Sequence, residues 1–318
     1  MSFQILGTGH FVPKKILNNE ELSEIVDTSD EWIMKRIGVK ERHICTTETA
    51  VDMGTQAALQ ALEAANVKPE ELDLILGTTI SGDTISPGLA CMVQNQIGAT
   101  CPAMDLAAAC SGFVFALDVA AGYFARKTAK KILIVSSERT SGLIDWTDRG
   151  TCCIFGDGSG AVVLGEGDGY IASHLETQGG EDVITIPIHS DKSPFYENEL
   201  KDALIFMNGQ ETYKFAVTKM TGHIQHVMSQ AGISGEDVSW VVAHQANYRI
   251  INEARRRMPE ISPEKFLLNI EKYGNTSSAS VPILLDEAVR EEKIKKGDIV
   301  VLAAFGGGLS SGAAVLKW

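Results

Sequence analysis

The hydrophobic pattern alternates along the chain between short apolar runs, which predict buried strands, and longer stretches with apolar residues at helical spacing. The apolar segment 102–106 predicts one strand. From Gly112 onward the apolar positions recur at the helical period, so a buried helix follows that strand. Further along, the run 241–243 predicts a strand that ends at His244, and residues 281–289 predict another apolar helix. Strands and helices that alternate in this way indicate an α/β protein.

An internal repeat is visible in the sequence. Residues 67–76 align without gaps to residues 233–242, and each copy ends in a predicted strand. The tail strands repeat as well, because residues 160–164 resemble residues 312–316. No linker rich in Pro, Gly or Ser separates the copies, so the repeat indicates one duplicated fold.

Each copy of the repeat follows a helix with regularly spaced apolar residues, 56–65 in the first copy and 217–231 in the second. Two such units suggest two α/β halves packed face to face in layers. We place the first half at residues 1–170 and the second at residues 171–318. A site would then lie between the two halves.

Composition limits the class of protein. Of the 318 residues, 44% are hydrophobic and 22% are charged, which is ordinary for a globular protein. The net charge of −13 argues against a nucleic-acid partner, because a phosphate-binding surface needs positive charge. No apolar run approaches the roughly 20 residues of a membrane span, and the N-terminus lacks a signal-peptide pattern. We therefore expect a cytoplasmic protein with no membrane segment.

The cysteines predict neither disulfides nor a metal site. The six cysteines form no CxxC pair and have no His-Cys spacing of the kind that binds metals. They are typical of the reduced thiols of a cytoplasmic protein. Cys152 and Cys153 are adjacent in an apolar run, for which we expect a buried strand.

Cys110 lies between the predicted strand at 102–106 and the predicted helix that follows it. Unpaired backbone N–H groups and the positive end of the helix dipole face a thiol in that position, and both favour the thiolate. The alternative is a small core residue, because free cysteine is often buried. His244 and Asn275 stand at the ends of two other predicted elements, where α/β folds build their sites. Together the three residues favour the interpretation of Cys110 as a nucleophile.

His244 and Asn275 suit one chemical task. A neutral His and an Asn can each donate a hydrogen bond, whereas Asn cannot act as a base. The pair therefore indicates a cradle for an oxyanion or enolate rather than a proton-abstracting dyad. The sequence predicts acyl transfer onto Cys110, followed by a step that develops negative charge on a carbonyl oxygen.

Glycine patterns that point to other enzymes are rejected. Residues 7–9 and 156–158 do not complete the dinucleotide-binding pattern GxGxxG ahead of a helix. Residues 308–312 match the hydrolase pattern GxSxG, but a nucleophile elbow needs a helix, an acid and a His after its serine. Only a predicted terminal strand follows here. We expect residues 306–308 instead to let the backbone approach a ligand closely.

Several short motifs, in order from end to end, carry a family resemblance. They are Gly7-Thr-Gly9, Asp30-Glu-Trp32-Ile-Met-Lys-Arg36-Ile-Gly38, Ala109-Cys110-Ser-Gly112, Asp148-Arg149-Gly-Thr151, Phe155-Gly-Asp-Gly-Ser-Gly-Ala161, His244-Gln-Ala-Asn247, Gly274-Asn275-Thr276 and Ala304-Phe-Gly-Gly-Gly308. The chain resembles the β-ketoacyl-acyl-carrier-protein synthase III family of the thiolase superfamily. The resemblance implies a thiolase-like fold in α-β-α-β-α layers.

The resemblance also implies a reaction. An acyl-CoA starter would transfer its acyl group to Cys110, and the N–H groups of Cys110 and Gly307 would hold the oxyanion. Malonyl-acyl carrier protein would then lose carbon dioxide, and His244 and Asn275 would hold the resulting enolate. The enolate would attack the acyl group and give a β-ketoacyl product that initiates fatty acid synthesis. No metal or redox cofactor is implied, because coenzyme A thioesters serve as substrates.

Binding residues follow from the same resemblance. Trp32 and Arg149 would enclose the adenine of coenzyme A, and Arg36 would contact a phosphate. The residues that match the pantetheine tunnel are Met207, Gly209, Tyr213, Ala216 and Asn247. The residues expected to dock the acidic carrier protein are Lys214, Arg249, Arg256 and Arg257. A homodimer is implied as well.

Departures from the family pattern leave the starter open. Ser86 stands where an aromatic residue often precedes the Pro of a segment that reaches across the dimer, and Ser310 and Ser311 replace a bulkier pair. Acetyl, branched and medium-chain starters all fit. Three alternatives stay open: a type III polyketide synthase, a related condensing enzyme of secondary metabolism and a non-catalytic partner subunit. The presence of Cys110, His244 and Asn275 argues against the last.

Overall fold

A computed structural model describes residues 2–187, 195 and 202–318. In this part of the chain the strands are β1 (Ser2–Phe11), β2 (Lys15–Asn18), β3 (Glu41–Ile44), β4 (Leu74–Thr78), β5 (Ala103–Leu106), β6 (Lys131–Glu138), β7 (Gly158–Gly167), β8 (Tyr170–Gly180), β9 (Ile184–Thr185), β10 (Phe206–Met207), β11 (Trp240–Ala243), β12 (Ile299–Gly306) and β13 (Gly308–Lys317). The α-helices are α1 (Asn19–Ser23), α2 (Asp30–Arg36), α3 (Ala50–Ala65), α4 (Leu89–Ile97), α5 (Gly112–Ala125), α6 (Gly209–Ala231), α7 (Tyr248–Arg257), α8 (Ile270–Tyr273) and α9 (Ser280–Arg290).

Two sheets repeat one topology. The first has the strand order β1-β7-β6-β4-β5 and the second has the order β8-β13-β12-β11. In the first sheet β1 and β6 each run antiparallel to β7, while β4 is parallel to β6. In the second, β8 and β12 each run antiparallel to β13, while β11 is parallel to β12. The strands predicted from the sequence repeat, β4 and β11, thus occupy equivalent places, whereas the chain division at residue 170 stays a prediction.

Helices cover both sheets and also fill the space between them. The core between the sheets contains apolar residues of α5 and α9 together with residues of both sheets. Helices α3 and α4 pack on the outer face of the first sheet, and α6 and α7 pack on that of the second. This is the predicted α-β-α-β-α order of layers, so the predicted fold class is confirmed.

Two helices begin earlier than their apolar spacing predicts, because polar caps start them. Helix α3 starts at Ala50, where the Thr49 side chain accepts from the N–H of Asp52 in a capping box. Helix α6 starts at Gly209, where the Asn208 side chain accepts from the N–H of Glu211. Apolar periodicity does not detect these polar first turns.

The prediction that Cys152 and Cys153 lie in a buried strand is wrong. Both residues lie in a turn, although both are fully buried. They pack with Leu17 and Ile33 in a cluster beneath α2 rather than in a sheet. A short apolar run predicts burial but does not distinguish a strand from a packed turn.

The six cysteines are free thiols. Among the described residues, no group of His, Cys, Asp or Glu side chains is arranged to hold a metal ion. Within the same residues, none of the helices has the length and apolar character that a membrane crossing requires.

Gly9 marks a close approach of β1 to α3. A Cβ atom built on Gly9 would lie 2.6 Å from the backbone nitrogen of Ala61 and would clash with the carbonyl oxygen of Ala57. The glycine pattern at residues 7–9 therefore serves packing in this fold.

Replacing Gly9 by Ala should destabilise the protein by about 1–3 kcal/mol, because the added methyl forces β1 away from α3. Urea unfolding followed by circular dichroism would measure the loss. The matched control is Gly122→Ala on the exposed face of α5, where a Cβ atom meets nothing within 4 Å. That change should stabilise the helix by roughly 0.5–1 kcal/mol. Equal stability of the two variants would contradict the assigned packing.

Candidate active site

A cavity of about 1390 Å³ opens between the two halves of the molecule. Cys110, His244, Asn275 and Gly307 all line it, so the structure brings together the four residues that sequence reasoning placed at the reacting centre. Much of its remaining wall is apolar, and it includes Phe115, Leu143, Ile154, Phe155, Ile184 and Ile205. Such a cavity suits an apolar group that reacts at one polar end.

Cys110 lies in a 3-10 turn, Ala109–Ser111, that leads directly into α5. The turn begins at Ala109 with a φ of 44°, a left-handed conformation that is uncommon for a residue other than glycine. It rests against β12, where a Cβ atom on Gly306 would lie 2.7 Å from the backbone nitrogen of Cys110. The absence of a side chain at Gly306 is therefore what lets β12 approach the nucleophile.

Burial determines the protonation of the resting thiol. It raises the pKa of Cys110 to about 12, and this exceeds the lowering by a hydrogen bond from Ser277. The Oγ of Ser277 donates to the Sγ of Cys110 at 3.4 Å. That the helix start favours the thiolate over the thiol stays a prediction. The position at a helix start, read from the sequence, does not include the desolvation that opposes the charge.

His244 follows β11 and is held in a neutral state. Burial lowers its pKa to about 3. Its Nδ1 lies 2.6 Å from the Oγ of Ser280, and that oxygen also accepts a long hydrogen bond from the N–H of Gln245 at 3.4 Å. The hydroxyl proton of Ser280 is thus available to Nδ1, which leaves the ring proton on Nε2. His244 is then a hydrogen-bond donor, as its proposed task requires.

Asn275 is fixed through its backbone and its side chain. Its N–H donates to the carbonyl oxygen of Ile154 at 2.9 Å, and its own carbonyl accepts from the N–H of Gly156 at 3.1 Å. The side-chain Oδ1 accepts from the N–H of Ser277 at 2.8 Å. This bond orients the amide, so that the NH₂ group is the donor left for a ligand.

Gly307 adjoins the nucleophile turn. Its Cβ position would be 3.6 Å from the Cβ of Ala109. The Oγ of Ser310 lies 2.8 Å from the carbonyl oxygen of Gly307 and 2.9 Å from that of Ala108, so its single proton is within reach of both acceptors. Ser310 thus ties the Gly307 backbone to the turn that carries Cys110.

Ser311 does not line the cavity. Neighbouring strand residues face opposite sides of a sheet, so Ser310 faces the cavity and Ser311 faces α6. There the Oγ of Ser311 lies 2.9 Å from the Nε2 of His223. Of the two substitutions expected to reshape the pocket at this strand, only Ser310 is in a position to do so.

Trp32, Arg36 and Arg149 form a cluster of one aromatic ring and two guanidinium groups. The Cζ of Arg149 lies 5.2 Å from the Trp32 ring centroid, and that of Arg36 lies 5.9 Å from it. Arg36 also lines the cavity. A planar ligand between Trp32 and Arg149 needs two contacts of about 3.5 Å, so Arg149 must move outward to admit one.

The predicted tunnel residues divide into two groups. Met207, Gly209, Tyr213 and Asn247 line the cavity. Ala216 does not, because it lies one turn further along α6 and is fully buried against the second sheet. Its place in the tunnel was implied by the family resemblance, which did not reveal which face of α6 this residue occupies.

The predicted basic patch is partly neutralised. Arg249 and Lys214 line the cavity, with the Arg249 guanidinium 5.5 Å from the Tyr213 ring centroid. Arg256 and Arg257 both form ion pairs with Glu253, at 2.7 and 2.8 Å. Of the three arginines predicted to dock the carrier protein, Arg249 is therefore the one without an ion pair to Glu253.

Sequence reasoning missed Ser277 and Ser280, which contact Cys110 and His244. Both lie in the polar run after Asn275, which was interpreted only as a turn ahead of a helix. The signal in the sequence was the high number of Ser and Thr residues directly after Asn275, at the start of a predicted helix. Glu138 was missed as well, and it is fully buried beneath the same turn.

Taken together, a buried cysteine at a helix start, a neutral His and an oriented Asn on two duplicated α/β halves define a condensing enzyme of the thiolase type. Two family models match the chain, and both describe 3-oxoacyl-[acyl-carrier-protein] synthase III. One covers residues 104–179, and the C-terminal one covers residues 228–318.

Similar proteins extend the match to the full chain. The β-ketoacyl-[acyl-carrier-protein] synthase III of Clostridium acetobutylicum is 45% identical, over 100% of this chain and 99% of that protein. The crystal structure of the Aquifex aeolicus synthase III is 44% identical with a TM-score of 0.92, covering 99% of this chain and 100% of the other. The priming β-ketosynthase of the R1128 polyketide pathway is 32% identical with a TM-score of 0.93, covering 99% and 96%. The chain belongs to the β-ketoacyl-acyl-carrier-protein synthase III family and is an acyltransferase.

His244 should stay neutral at all pH values near neutrality, because burial depresses its pKa to about 3. In ¹³C-labelled protein, the ring signal absent from the His244→Ala spectrum should hold one chemical shift between about pH 5.5 and 8, where a free imidazole titrates. The same residue in urea-unfolded protein should titrate near 6.5. A midpoint near 6.5 in the folded protein would show that the ring is not held neutral.

Proposed function

We propose that this chain joins an acyl-CoA starter to malonyl-acyl carrier protein, with Cys110, His244 and Asn275 as its catalytic residues. The observation that supports this most directly is their meeting in one apolar cavity, where His244 is neutral and the amide of Asn275 is oriented. In the steps below coenzyme A is part of a substrate, and every other role is assigned to a residue of this chain.

In the first half-reaction Cys110 attacks the thioester carbon of the starter. The new S–C bond forms as the bond to the coenzyme A sulfur breaks, and the proton that leaves Cys110 ends on that departing sulfur. The backbone N–H groups of Cys110 and Gly307 are the donors for the oxyanion. Gly306 supports this assignment, since it lets β12 and Gly307 lie against the nucleophile turn.

In the second half-reaction the malonyl group loses carbon dioxide, and the electron pair of the broken bond enters an enolate. The Nε2–H of His244 and the NH₂ group of Asn275 donate to the enolate oxygen. A neutral imidazole suits this role because it donates without carrying a buried charge. The enolate carbon then attacks the acyl-Cys110 carbonyl, and the thiolate leaves.

Coenzyme A would enter past Trp32, Arg36 and Arg149. Arginine is suited to both tasks proposed there, stacking on adenine and binding phosphate. Besides its contact with the Trp32 ring, the guanidinium of Arg149 has a hydrogen bond of 3.3 Å to the carbonyl oxygen of Asp27 and an ion pair of 4.0 Å to the Asp27 carboxylate. Such a weak anchorage supports the outward movement that stacking requires. The pantetheine arm would follow the cavity wall at Met207, Gly209, Tyr213 and Asn247.

The carrier protein would dock at the mouth of the cavity beside α7. Arg249 and Lys214 lie there, and a positive patch on an otherwise acidic chain attracts an acidic partner. Glu253 binds both Arg256 and Arg257, so these two arginines would exchange an internal carboxylate for one of the partner.

We further propose a homodimer in the cytoplasm. Strand β5 is at the edge of the first sheet and leaves Met104 37% exposed. Ile85, beside Ser86, is 86% exposed, which is a large apolar side chain to leave in water. Both features are accounted for if a second copy covers this side. The free thiols support a reducing compartment.

The starter acyl group remains open between short, branched and medium chains. The small Ser310 on the cavity wall and the small Ser86 next to the cavity-lining Ile85 support a pocket with room beyond an acetyl group. The similarity to a polyketide-pathway priming enzyme keeps a role in secondary metabolism as the second candidate. Intact-mass analysis with a panel of acyl-CoAs separates these cases by the acyl groups that the protein retains.

The two half-reactions should separate in variants. His244→Ala and Asn275→Ala should each lower malonyl decarboxylation by about 10²–10³-fold, since each removes one enolate donor. Both should still gain acyl mass from acyl-CoA, whereas Cys110→Ser should gain none because its hydroxyl is a far weaker nucleophile. Intact-mass spectra and carbon dioxide release measure the two steps. Unchanged decarboxylation in either Ala variant, or normal acyl capture by Cys110→Ser, would refute the assignment.

Replacing Arg249 and Arg256 by Glu should raise the KM for malonyl-carrier protein strongly, with a much smaller effect on acylation by acyl-CoA. The wild-type KM for the carrier protein should also rise with salt, since exposed charges are screened over roughly 10 Å at about 0.1 M. Arg255→Lys is a matched control on the same helix, because Arg255 stacks on Phe266 away from the cavity. Equal losses with both substrates would assign the arginines to the tunnel or the fold.

A further inference from the structure

Ser277 is a fully buried serine in contact with the nucleophile. Its Oγ donates to the Sγ of Cys110 at 3.4 Å, within the range of a hydrogen bond to sulfur. The proposed mechanism assigns backbone donors to the oxyanion and side-chain donors to the enolate, but it assigns no side chain to the developing thiolate. Ser277 is placed to fill that role.

The backbone at Ser277 is strained, and its surroundings hold it in place. Its φ is 49°, a left-handed conformation that serine seldom adopts. The next residue anchors the turn, because the N–H and Oγ of Ser278 donate to the buried carboxylate of Glu138 at 3.2 and 2.6 Å. The N–H of Ser277 itself donates to Asn275. Such strain persists only where neighbouring contacts enforce it, and it is concentrated at functional sites.

The turn at Ser277 is the counterpart of the nucleophile turn. Each is a short 3-10 turn, Ala109–Ser111 and Ser277–Ala279, that begins with a left-handed residue and leads into a central helix. The two turns contact each other between the halves. In the first half the turn presents a sulfur, and in the second half it presents a hydroxyl to that sulfur. The duplicated fold therefore accounts for the contact between the two turns.

We propose that Ser277 is a further catalytic residue, whose hydroxyl stabilises the Cys110 thiolate as it forms. This proposal rests on the proposed nucleophile and adds a group to it. A hydrogen bond to a charged acceptor is stronger than one to a neutral acceptor, so the Ser277 hydroxyl favours S⁻ over S–H. Burial opposes ionisation of this thiol, and the hydroxyl is the largest influence on the sulfur that favours it. The proton leaves for solvent in the free enzyme and for the departing coenzyme A sulfur during turnover.

The test is the pH dependence of Cys110 alkylation by iodoacetamide, measured by mass spectrometry of the Cys110 peptide. At each pH the reaction rate follows the thiolate fraction. In Ser277→Ala the rate should fall by about tenfold, as loss of one hydrogen bond to a charged group implies. The exposed Cys91 reports in the same sample and should react at an unchanged rate.

A second variant separates the effect of the Ser277 hydroxyl on the alkylation rate from the effect of backbone strain. Ser277→Gly also lacks the hydroxyl but relieves the left-handed backbone, so it should fold even if Ser277→Ala does not. Equal slowing in both variants supports the proposal. A wild-type rate in Ser277→Gly would overturn it, because the effect would then belong to strain. Ser23→Ala, at the exposed end of α1, is the serine-to-alanine control and should match the wild type.

Alkylation also separates this proposal from the proposed function. The assay needs neither acyl-CoA nor carrier protein. A protein that never becomes acylated can therefore still show the slower alkylation predicted for the Ser277 variants. Conversely, acylation with no difference between wild type and Ser277→Gly in the alkylation assay would leave the proposed function intact and remove Ser277 from the catalytic residues.

Discussion

Helices α5 and α9 lie in the layer between the two sheets, and the apolar contacts that bury them there determine where the site forms. Their N-terminal turns carry Cys110 in one half and the segment from Asn275 to Ser280 in the other. Because the two halves share one strand order, packing the helices side by side brings both turns to the same point. Loss of that packing would separate Cys110 from Asn275 and Ser277 even if each half kept its own fold.

Burial has opposite consequences for the ionisable groups at this point. It raises the pKa of Cys110 and lowers that of His244, so both side chains are uncharged in the resting protein. A neutral His244 is ready to donate. A neutral Cys110 still has to lose its proton, and the donors around it matter for that reason. One physical effect thus prepares one catalytic group and hinders the other.

The sequence predicted the layers because strand and helix periodicity, and the repeat that joins residues 67–76 to 233–242, depend on local spacing. It also identified Cys110, His244 and Asn275 as residues at element ends, and the structure places them in one cavity. It did not reveal that Cys152 and Cys153 occupy a turn, that Ala216 faces the second sheet or that Ser311 faces α6. Those facts depend on which face of an element packs against a distant one. The desolvation that raises the pKa of Cys110 was hidden for a similar reason, since it is a property of the assembled cavity.

An uncharged pair at the centre of the cavity has a consequence for the empty enzyme. A ligand that enters does not have to displace the hydration of an ion at Cys110 or His244, so burying an acyl chain there costs less desolvation. Neutral electrophiles with an apolar tail should therefore be better covalent inhibitors of Cys110 than charged thiol reagents, whose own hydration would be lost on entry.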